Sequence, residues 1–276
     1  MLGGVGSGMT MRPQVVAHRG ASHDTAEHTL GAYVKALDQG AEALECDVRL
    51  TADGHLVCVH DRDLLRTAST RGLVSTMELA ELDQLDFASW KNPWADLDDE
   101  AQDLDLELGR VLTLRKLLEV VADYDRSVEL AIETKHPTRY AGLVERRLAE
   151  ALAAFGWDGA GAPVRVMSFS YTALQRMRRL APGVPLVMLI DKKRHWAALQ
   201  PVVGDDWILG PGIDLLRDTP VFAQRLAATG RDIHVWTVNT EADLDVCLRY
   251  GVKAVITDRP GMILGLLDDR TLEQPG

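Results

Sequence analysis

The sequence has few cysteines and no long apolar run, and both absences narrow the class of protein. Its 276 residues include three widely spaced cysteines, Cys46, Cys58 and Cys247, with no CxxC pair. Such a set argues against a disulfide framework or a thiolate zinc site and favours a reducing compartment. No apolar stretch approaches the ~20 residues of a membrane-spanning helix, and the glycine-rich start lacks the apolar core of a secretory signal. We therefore expect a cytoplasmic protein without stable membrane insertion.

Positive charge is also scarce. The chain has 30 lysines and arginines against 41 acidic residues, giving a net charge of -11 at pH 7. Nucleic-acid affinity depends on lysines and arginines that neutralise phosphates, so we expect no nucleic-acid partner. A small phosphorylated substrate stays compatible with this balance, because a local cluster of cations can oppose the net field.

Short β-rich runs alternate with helical patterns along the chain. The runs are Gln14–Ala17, Ala43–Arg49, Ser127–Glu133, Val164–Phe169, Pro185–Ile190, Trp207–Leu209, Ile233–Val238 and Lys253–Thr257. Parallel strands need crossover helices, and eight alternating units favour a closed (β/α)8 TIM barrel. An open dinucleotide-binding sheet lacks support, because no GxGxxG turn follows the first run.

Two segments depart from this alternation. The glycine-rich residues 1–12 are expected to form a disordered leader before a single barrel domain at 13–276. Residues 61–110, which follow the second barrel strand and its hairpin, hold a short helix candidate, Thr76–Leu85, and an acidic run. We interpret this stretch as an insertion at the mouth of the barrel, where loops after strands carry variable material.

Three carboxylates are placed to form a cation site. Glu45 and Asp47 lie two residues apart in a strand and share a face, and Glu133 ends the next barrel strand. Two carboxylates in a low-dielectric interior repel each other unless a cation lies between them. Oxygen ligands of this kind suit one Mg²⁺ or Ca²⁺. The structural alternative pairs Glu45 and Asp47 with Arg49 or Lys135, although buried ion pairs add little net stability.

Two histidines and two cations complete the candidate site. His18 follows the first strand and His60 ends the hairpin, and imidazoles can both give and take a proton near neutral pH. Cleavage of a phosphodiester needs both transfers. Arg19 offers a planar fork for phosphate oxygens, and Lys135 offers a second positive charge.

The remaining candidates are less specific. Trp236, near the end of the seventh run, is expected either to form an apolar wall for a glycerol or alcohol group or to pack in the core. His23 and His28 follow the first strand, where exposure to solvent or capping of a helix accounts for them.

An ordered set of motifs covers residues 15 to about 260. The motifs are His18-Arg19-Gly20, Glu27-His28-Thr29, Glu45-Cys46-Asp47-Val48, Asp53-Gly54, His60-Asp61, Glu133-Thr134-Lys135, Ser168-Phe169, Trp236-Thr237-Val238-Asn239 and Thr257-Asp258 with Pro260. Each is weak alone, but the ordered set closely resembles the glycerophosphodiester phosphodiesterase family. The resemblance implies a (β/α)8 barrel with a small insertion after the second strand. One departure is His28, where many members have asparagine and a subgroup has histidine.

The resemblance also implies a reaction. A divalent cation would be held by the residues matching Glu45, Asp47 and Glu133, and a glycerophosphodiester would be hydrolysed to sn-glycerol 3-phosphate and an alcohol. His18 and His60 would be the general acid and base, and Arg19 and Lys135 would contact the phosphate. We assign His18 as base and His60 as acid, with exchange of the two roles left open. Water and the substrate's own 2-hydroxyl are both candidate nucleophiles.

Two other interpretations remain. A lysophospholipase D or a phospholipase C-like enzyme would keep the barrel but needs an apolar rim, for which Trp90 and Trp94 are the candidates. A catalytically silent barrel that binds a phosphorylated metabolite would need no second imidazole. The sequence is compatible with a homo-oligomer but does not specify one.

Overall fold

The computed structural model describes residues 12–92 and 106–272. Its strands are β1 (Gln14–His18), β2 (Ala43–Leu50), β3 (Leu56–Cys58), β4 (Glu129–Thr134), β5 (Val164–Ser168), β6 (Leu186–Ile190), β7 (Ile208–Pro211), β8 (His234–Val235) and β9 (Ala254–Thr257). They run in the order β7-β6-β5-β4-β2-β1-β9-β8, and β3 pairs with β2. Every pairing is parallel except the hairpin of β2 with β3.

The sheet closes between β7 and β8. Parallel bridges join Leu209 to Ile233 and Gly212 to Trp236. The amide of Trp236 donates to the carbonyl of Pro211 at 3.3 Å. Eight parallel strands therefore form a nearly closed barrel, and the predicted (β/α)8 architecture is confirmed.

Helices alternate with the barrel strands. They are α1 (Leu30–Asp38), α2 (Leu65–Ala68), α3 (Leu79–Leu82), α4 (Leu114–Asp123), α5 (Leu143–Ala154), α6 (Tyr171–Leu180), α7 (Lys193–Leu199), α8 (Ile213–Arg217), α9 (Pro220–Ala227), α10 (Glu241–Arg249) and α11 (Pro260–Leu272). Hydroxyl side chains begin several of them: Thr29, Thr113, Ser170 and Thr240 each accept a hydrogen bond from an amide of the first turn. No helix in the described part of the chain is long and apolar enough to cross a bilayer.

Side-chain alternation along β2 separates two packing layers. Leu44, Cys46 and Val48 belong to the large cluster between the sheet and the helices, whereas Ala43 packs inside the barrel. Glu45 and Asp47 share the side of Ala43, because alternate residues of a strand face the same way. The fold therefore directs two carboxylates into the upper interior of the barrel.

The segment after β3 has a small core of its own, formed by Val57, Val59, Leu64, Val74, Leu82, Phe87 and Val111. The predicted helix Thr76–Leu85 is shorter, because a capping box formed by Glu78 and Glu81 begins α3 at Leu79. Trp94, most of the acidic run and residues 1–11 of the predicted leader lie outside the described residues.

Candidate active site

Strand register brings the three predicted carboxylates together. His18 of β1 lies beside Glu45 of β2, and Asp47 of β2 lies beside Glu133 of β4. Each of the three acidic residues is buried and offers a carboxylate oxygen within 4.8 Å of the other two. We call Glu45, Asp47 and Glu133 the acidic cluster.

Burial perturbs the ionisation of this cluster. Burial, followed by the charge of Asp47, raises the pKa of Glu45 well above its usual value and that of Glu133 to about 8. Burial also acts to raise the pKa of Asp47, but a hydrogen bond from His28 and the charges of Arg19 and Lys135 bring it well below the usual value. A divalent cation would relieve this repulsion, so the donor set fits a hard cation.

Lys135 and Arg19 contact the cluster directly. Lys135 Nζ lies 2.9 Å from Glu133 Oε1 and 3.3 Å from Asp47 Oδ1, and Arg19 Nε lies 3.1 Å from Asp47 Oδ2. Asp47 Oδ1 nevertheless has no hydrogen bond of normal geometry. The alternative predicted from sequence was a structural ion pair with Arg49 or Lys135. Lys135 makes such a pair with Asp47, whereas Arg49 donates to the carbonyl of His60 at 2.9 and 2.7 Å.

A strained turn positions His18 and Arg19. Arg19 adopts the left-handed φ of 57°, and its amide lies 3.1 Å from both the carbonyl and Oε2 of Glu45. Gly20 follows at a φ of 85°, and a Cβ there would lie 2.6 Å from the backbone of Ala32. Only glycine fits this position, which explains the third residue of the His18-Arg19-Gly20 motif.

His18 is oriented by a carboxylate from the far end of the chain. Its Nδ1 donates to Asp258 Oδ1 at 2.6 Å, while its Nε2 lies 4.0 Å from Glu45 Oε2. Asp258 also accepts a hydrogen bond from Asn239 Nδ2 at 2.6 Å, and Ser22 Oγ lies 2.9 Å from it. Burial opposes ionisation of Asp258, but these partners hold its pKa below the usual value.

His60 has a different environment. Its Nδ1 lies 2.8 Å from Asp61 Oδ1, and Arg66 Nε donates to the second oxygen of Asp61 at 2.6 Å. Burial lowers the pKa of His60 to about 4, and the positive charges of Arg19 and Lys135 act in the same direction. The imidazole is therefore neutral at pH 7.

His28 is part of the site, and the expectation of an exposed or capping residue was wrong. It is buried, and its Nε2 donates to Asp47 Oδ2 at 2.9 Å, while its Nδ1 lies 2.9 Å from Tyr33 Oη. A left-handed φ of 61° turns the residue inward immediately before α1. The Glu27-His28-Thr29 motif was the feature of the sequence that could have identified His28 as a residue of the site.

A cavity of about 190 Å³ opens above the acidic cluster; we call it the mouth cavity. Its lining includes His18, His60 and Lys135. One wall is aromatic: Phe169 and Trp236 lie edge to face, with ring centroids 5.4 Å apart. Trp236 Nε1 donates to the carbonyl of Gly210 at 2.7 Å, which fixes the indole against β7.

Ionisable residues at the carboxyl ends of barrel strands, with two imidazoles beside a buried acidic cluster, define the class of TIM-barrel phosphodiesterases. Comparison with known proteins identifies the family. The model of the glycerophosphoryl diester phosphodiesterase family matches residues 18–262. The chain therefore belongs to this family of hydrolases.

Individual relatives cover nearly all of the chain. It is 43% identical over 261 residues to a Mycobacterium tuberculosis protein named "Probable glycerophosphodiester phosphodiesterase 1", covering 93% of each chain. It is 32% identical to the glycerophosphodiester phosphodiesterase of Bacillus subtilis, covering 90% of this chain and 84% of that one. A phosphodiesterase from Oleispira antarctica, solved with the product sn-glycerol-3-phosphate, superposes with a TM-score of 0.76 at 28% identity, covering 93% of this chain and 97% of the other.

Proposed function

We propose that this protein hydrolyses glycerophosphodiesters to sn-glycerol 3-phosphate and an alcohol, with one divalent cation held by Glu45, Asp47 and Glu133. The observation that carries the proposal is the acidic cluster, whose carboxylate oxygens lie within 4.8 Å of one another beside two imidazoles. The product complex of the Oleispira antarctica relative supports the substrate class. Mg²⁺ and Ca²⁺ both suit an all-oxygen site.

The divalent cation held by the acidic cluster, together with Arg19 and Lys135, would neutralise the negative charge of the phosphoryl group. When bound, a divalent cation neutralises phosphoryl oxygens and lowers the pKa of an attacking hydroxyl. Arg19 and Lys135 line the mouth cavity and contact Asp47, so their charges hold the carboxylates in place and face an incoming phosphate. Arg19 lies in the same turn as His18, and Lys135 follows Glu133 at the end of β4.

The two histidines differ in a way that favours an exchange of the roles assigned from sequence. His60 is neutral at pH 7, because burial lowers its pKa to about 4, and a neutral imidazole suits a general base. The acid role then falls to His18, whose Nδ1 donates to the ionised Asp258 and whose ring faces the mouth cavity. His60 would take the proton of the nucleophile, and His18 would give one to the leaving oxygen.

The aromatic wall would hold the uncharged part of the substrate. Trp236 and Phe169 border the mouth cavity opposite the ionic groups, and a glycerol or small alcohol offers them carbon atoms to cover. Trp90 is less suited to an apolar rim for lysophospholipids, because Arg66 and Lys91 lie 5.4 and 5.8 Å from its ring centroid. A small, water-soluble diester is therefore the favoured substrate.

The proposal extends to the organisation and location of the chain. We assign residues 13–276 to one catalytic domain with an insertion at about 61–110, following a leader at 1–12. A cytoplasmic location is supported by Cys46, Cys58 and Cys247, which are all buried and free of disulfides.

One assay tests this function. Glycerophosphocholine, glycerophosphoethanolamine, glycerophosphoglycerol and lysophosphatidylcholine are each incubated with the protein, and sn-glycerol 3-phosphate is measured by a coupled assay. We expect release from the three soluble diesters, loss of it in chelator, and recovery with Mg²⁺ or Ca²⁺. Release that is unchanged in chelator would contradict the cation site, and exclusive turnover of lysophosphatidylcholine would contradict the substrate class.

A further inference from the structure

A second, shallow depression lies beside the active site and is strongly basic. Arg49, Arg62, Lys135 and Arg139 line it, and no aspartate or glutamate of the residues that the structure describes is part of its lining. We call it the basic depression. Lys135 is paired with Glu133 and Asp47, which leaves three arginines without such a partner among the described residues, in a chain with a net charge of -11.

The three arginines of the basic depression have no carboxylate within ion-pair distance among the described residues. Arg49 is half-buried and donates only to the carbonyl of His60. Arg139 lies over the ring of Tyr140, 5.6 Å from its centroid, and Arg62 is exposed. Only Arg49 is partly buried, but three guanidinium groups that line one space repel one another, so an anion bound here would be stabilised by all three.

The depression is also preformed. Ser75 and Thr138 add hydroxyl groups to its lining. Tyr140 fastens these two segments together, because its Oη donates to the carbonyl of Ser75 at 2.7 Å and its amide donates to Thr138 Oγ1 at 3.2 Å. The loop after β4 is thereby fixed against the inserted segment, with donors from both facing one space.

Two features connect the basic depression to the reaction. Lys135 lines both the depression and the mouth cavity. Arg49 follows Asp47 by two residues on the same side of β2, a separation of about 7 Å along a strand. An anion in the depression therefore lies within the reach of one small molecule whose other phosphate is at the acidic cluster.

We propose that the basic depression binds a second phosphate group, carried by the alcohol half of the diester. The inference rests on the proposed function and narrows its substrate class to diesters whose alcohol bears a further phosphate. Arg62 and Arg139 supply guanidinium groups to that phosphate, and Arg49 supplies the charge nearest the acidic cluster. The active site accounts for Arg49 through its hydrogen bonds to the carbonyl of His60, but it gives no role to Arg62 and Arg139.

The test compares glycerophosphoglycerol with glycerophosphoglycerol phosphate, which differ only by the terminal phosphate. We expect kcat/KM of the wild-type protein to be about tenfold or more higher for the phosphorylated compound, since one charge-assisted contact contributes at least about that factor. The double variant Arg62→Gln/Arg139→Gln should lose most of this preference and keep its activity on glycerophosphoglycerol. Arg115→Gln/Arg225→Gln, which removes two exposed charges that line neither the depression nor the mouth cavity, is the matched control and should keep the preference.

Binding of both compounds in chelator, measured by calorimetry, separates the two proposals. If neither compound is hydrolysed with any cation, the proposed function fails, and tighter binding of the phosphorylated compound still supports the depression. Equal kcat/KM and equal affinity for the two compounds would overturn the inference. A preference that survives intact in Arg62→Gln/Arg139→Gln would overturn it as well.

Discussion

Asp47 has more ionic partners than any other member of the acidic cluster. Its two oxygens lie within 3.3 Å of His28 Nε2, Arg19 Nε and Lys135 Nζ. These contacts come from three different segments of the chain and hold the carboxylate ionised while its neighbours are driven towards protonation. The protonation state of each charged side chain in the site therefore depends on the charged side chains next to it.

Both imidazoles of the mouth cavity are expected to be required for turnover. His18→Ala and His60→Ala should each lower kcat by at least ~10², because each removes one of the two proton transfers. The exposed His55, whose side chain is 55% accessible, supplies the matched control His55→Ala. Steady-state kinetics and circular dichroism of the three variants check the prediction; equal loss in all three would argue against a specific role.

Glu27 should contribute stability that depends on pH. Burial opposes its ionisation, but hydrogen bonds from Arg66 and the charge of Arg19 lower its pKa from 4.5 to about 2. The unfolded chain binds this proton more tightly, so the contribution is present above pH 4.5 and disappears as the pH falls towards 2. It amounts to about 3 kcal/mol at neutral pH.

Urea unfolding of the wild type and Glu27→Gln from pH 3.5 to 7 measures this contribution. The difference in unfolding free energy between the two proteins should shrink as the pH falls. A difference that stays constant over the whole range would show that Glu27 is not ionised by its partners as described.

Single residues also mark where sequence reasoning succeeded and where it failed. Glu45, Asp47 and Glu133 could be brought together from strand alternation and neighbouring strand ends alone. His28 and Asp258 could not, because their positions depend on a left-handed turn and on the meeting of the first and last barrel strands. Neither feature leaves a periodic pattern in the sequence.

At the level of elements, α1 is joined to the site through one buried phenol. Tyr33 is fully buried, and its Oη lies 2.9 Å from His28 Nδ1 and 3.1 Å from the carbonyl of Glu45. The helix thereby positions one member of the acidic cluster, Glu45, and one neighbour of it, His28. Packing of α1 against β2 and the geometry of the site are consequently linked.

Tyr33→Phe should lower the free energy of unfolding by about 1–2 kcal/mol, because buried polar atoms lose their partner. Tyr171→Phe removes a similar hydrogen bond, to the carbonyl of Val202 at 3.0 Å, from a half-buried ring and should have a smaller effect. Chemical denaturation of both variants tests this, and an equal loss in the two would contradict the importance of burial.

The predicted bounds of some strands and helices agree with the structure better than those of others. The buried apolar runs of β2, β4 and β6 lie close to their predicted positions, because β-branched and aliphatic residues fill both faces of a covered sheet. The predicted strand Ile233–Val238 is reduced to the two residues of β8, because its end turns at the barrel's closure. The helix α11 had no prediction, since its apolar residues do not form a distinct stripe.

Across the whole molecule, the regular alternation of strands and helices was sufficient to predict the barrel. A break in that alternation marks the inserted segment, but its small core could not be predicted from short, irregular turns. The basic depression could not be predicted either, because it brings together Arg49, Arg62 and Arg139 from β2, the insertion and the loop after β4. Tertiary contacts alone create it.

The acidic cluster should make the stability of the whole barrel sensitive to divalent cations. A cation at about 100 times its Kd stabilises the folded state by about 2.7 kcal/mol, which corresponds to roughly 5 °C in Tm for a chain of this size. Thermal unfolding in chelator and in Mg²⁺ or Ca²⁺ measures the difference. Glu133→Gln should abolish most of the shift, and a shift that persists in this variant would place the cation elsewhere.

The central claim, that the acidic cluster supports hydrolysis of glycerophosphodiesters, is tested most directly by one comparison. The rate of sn-glycerol 3-phosphate release from glycerophosphoglycerol is measured for the wild type, Glu45→Gln and the exposed control Glu150→Gln at saturating cation. We expect a loss of at least ~10² in Glu45→Gln and none in Glu150→Gln. Wild-type turnover by a folded Glu45→Gln protein would contradict the account.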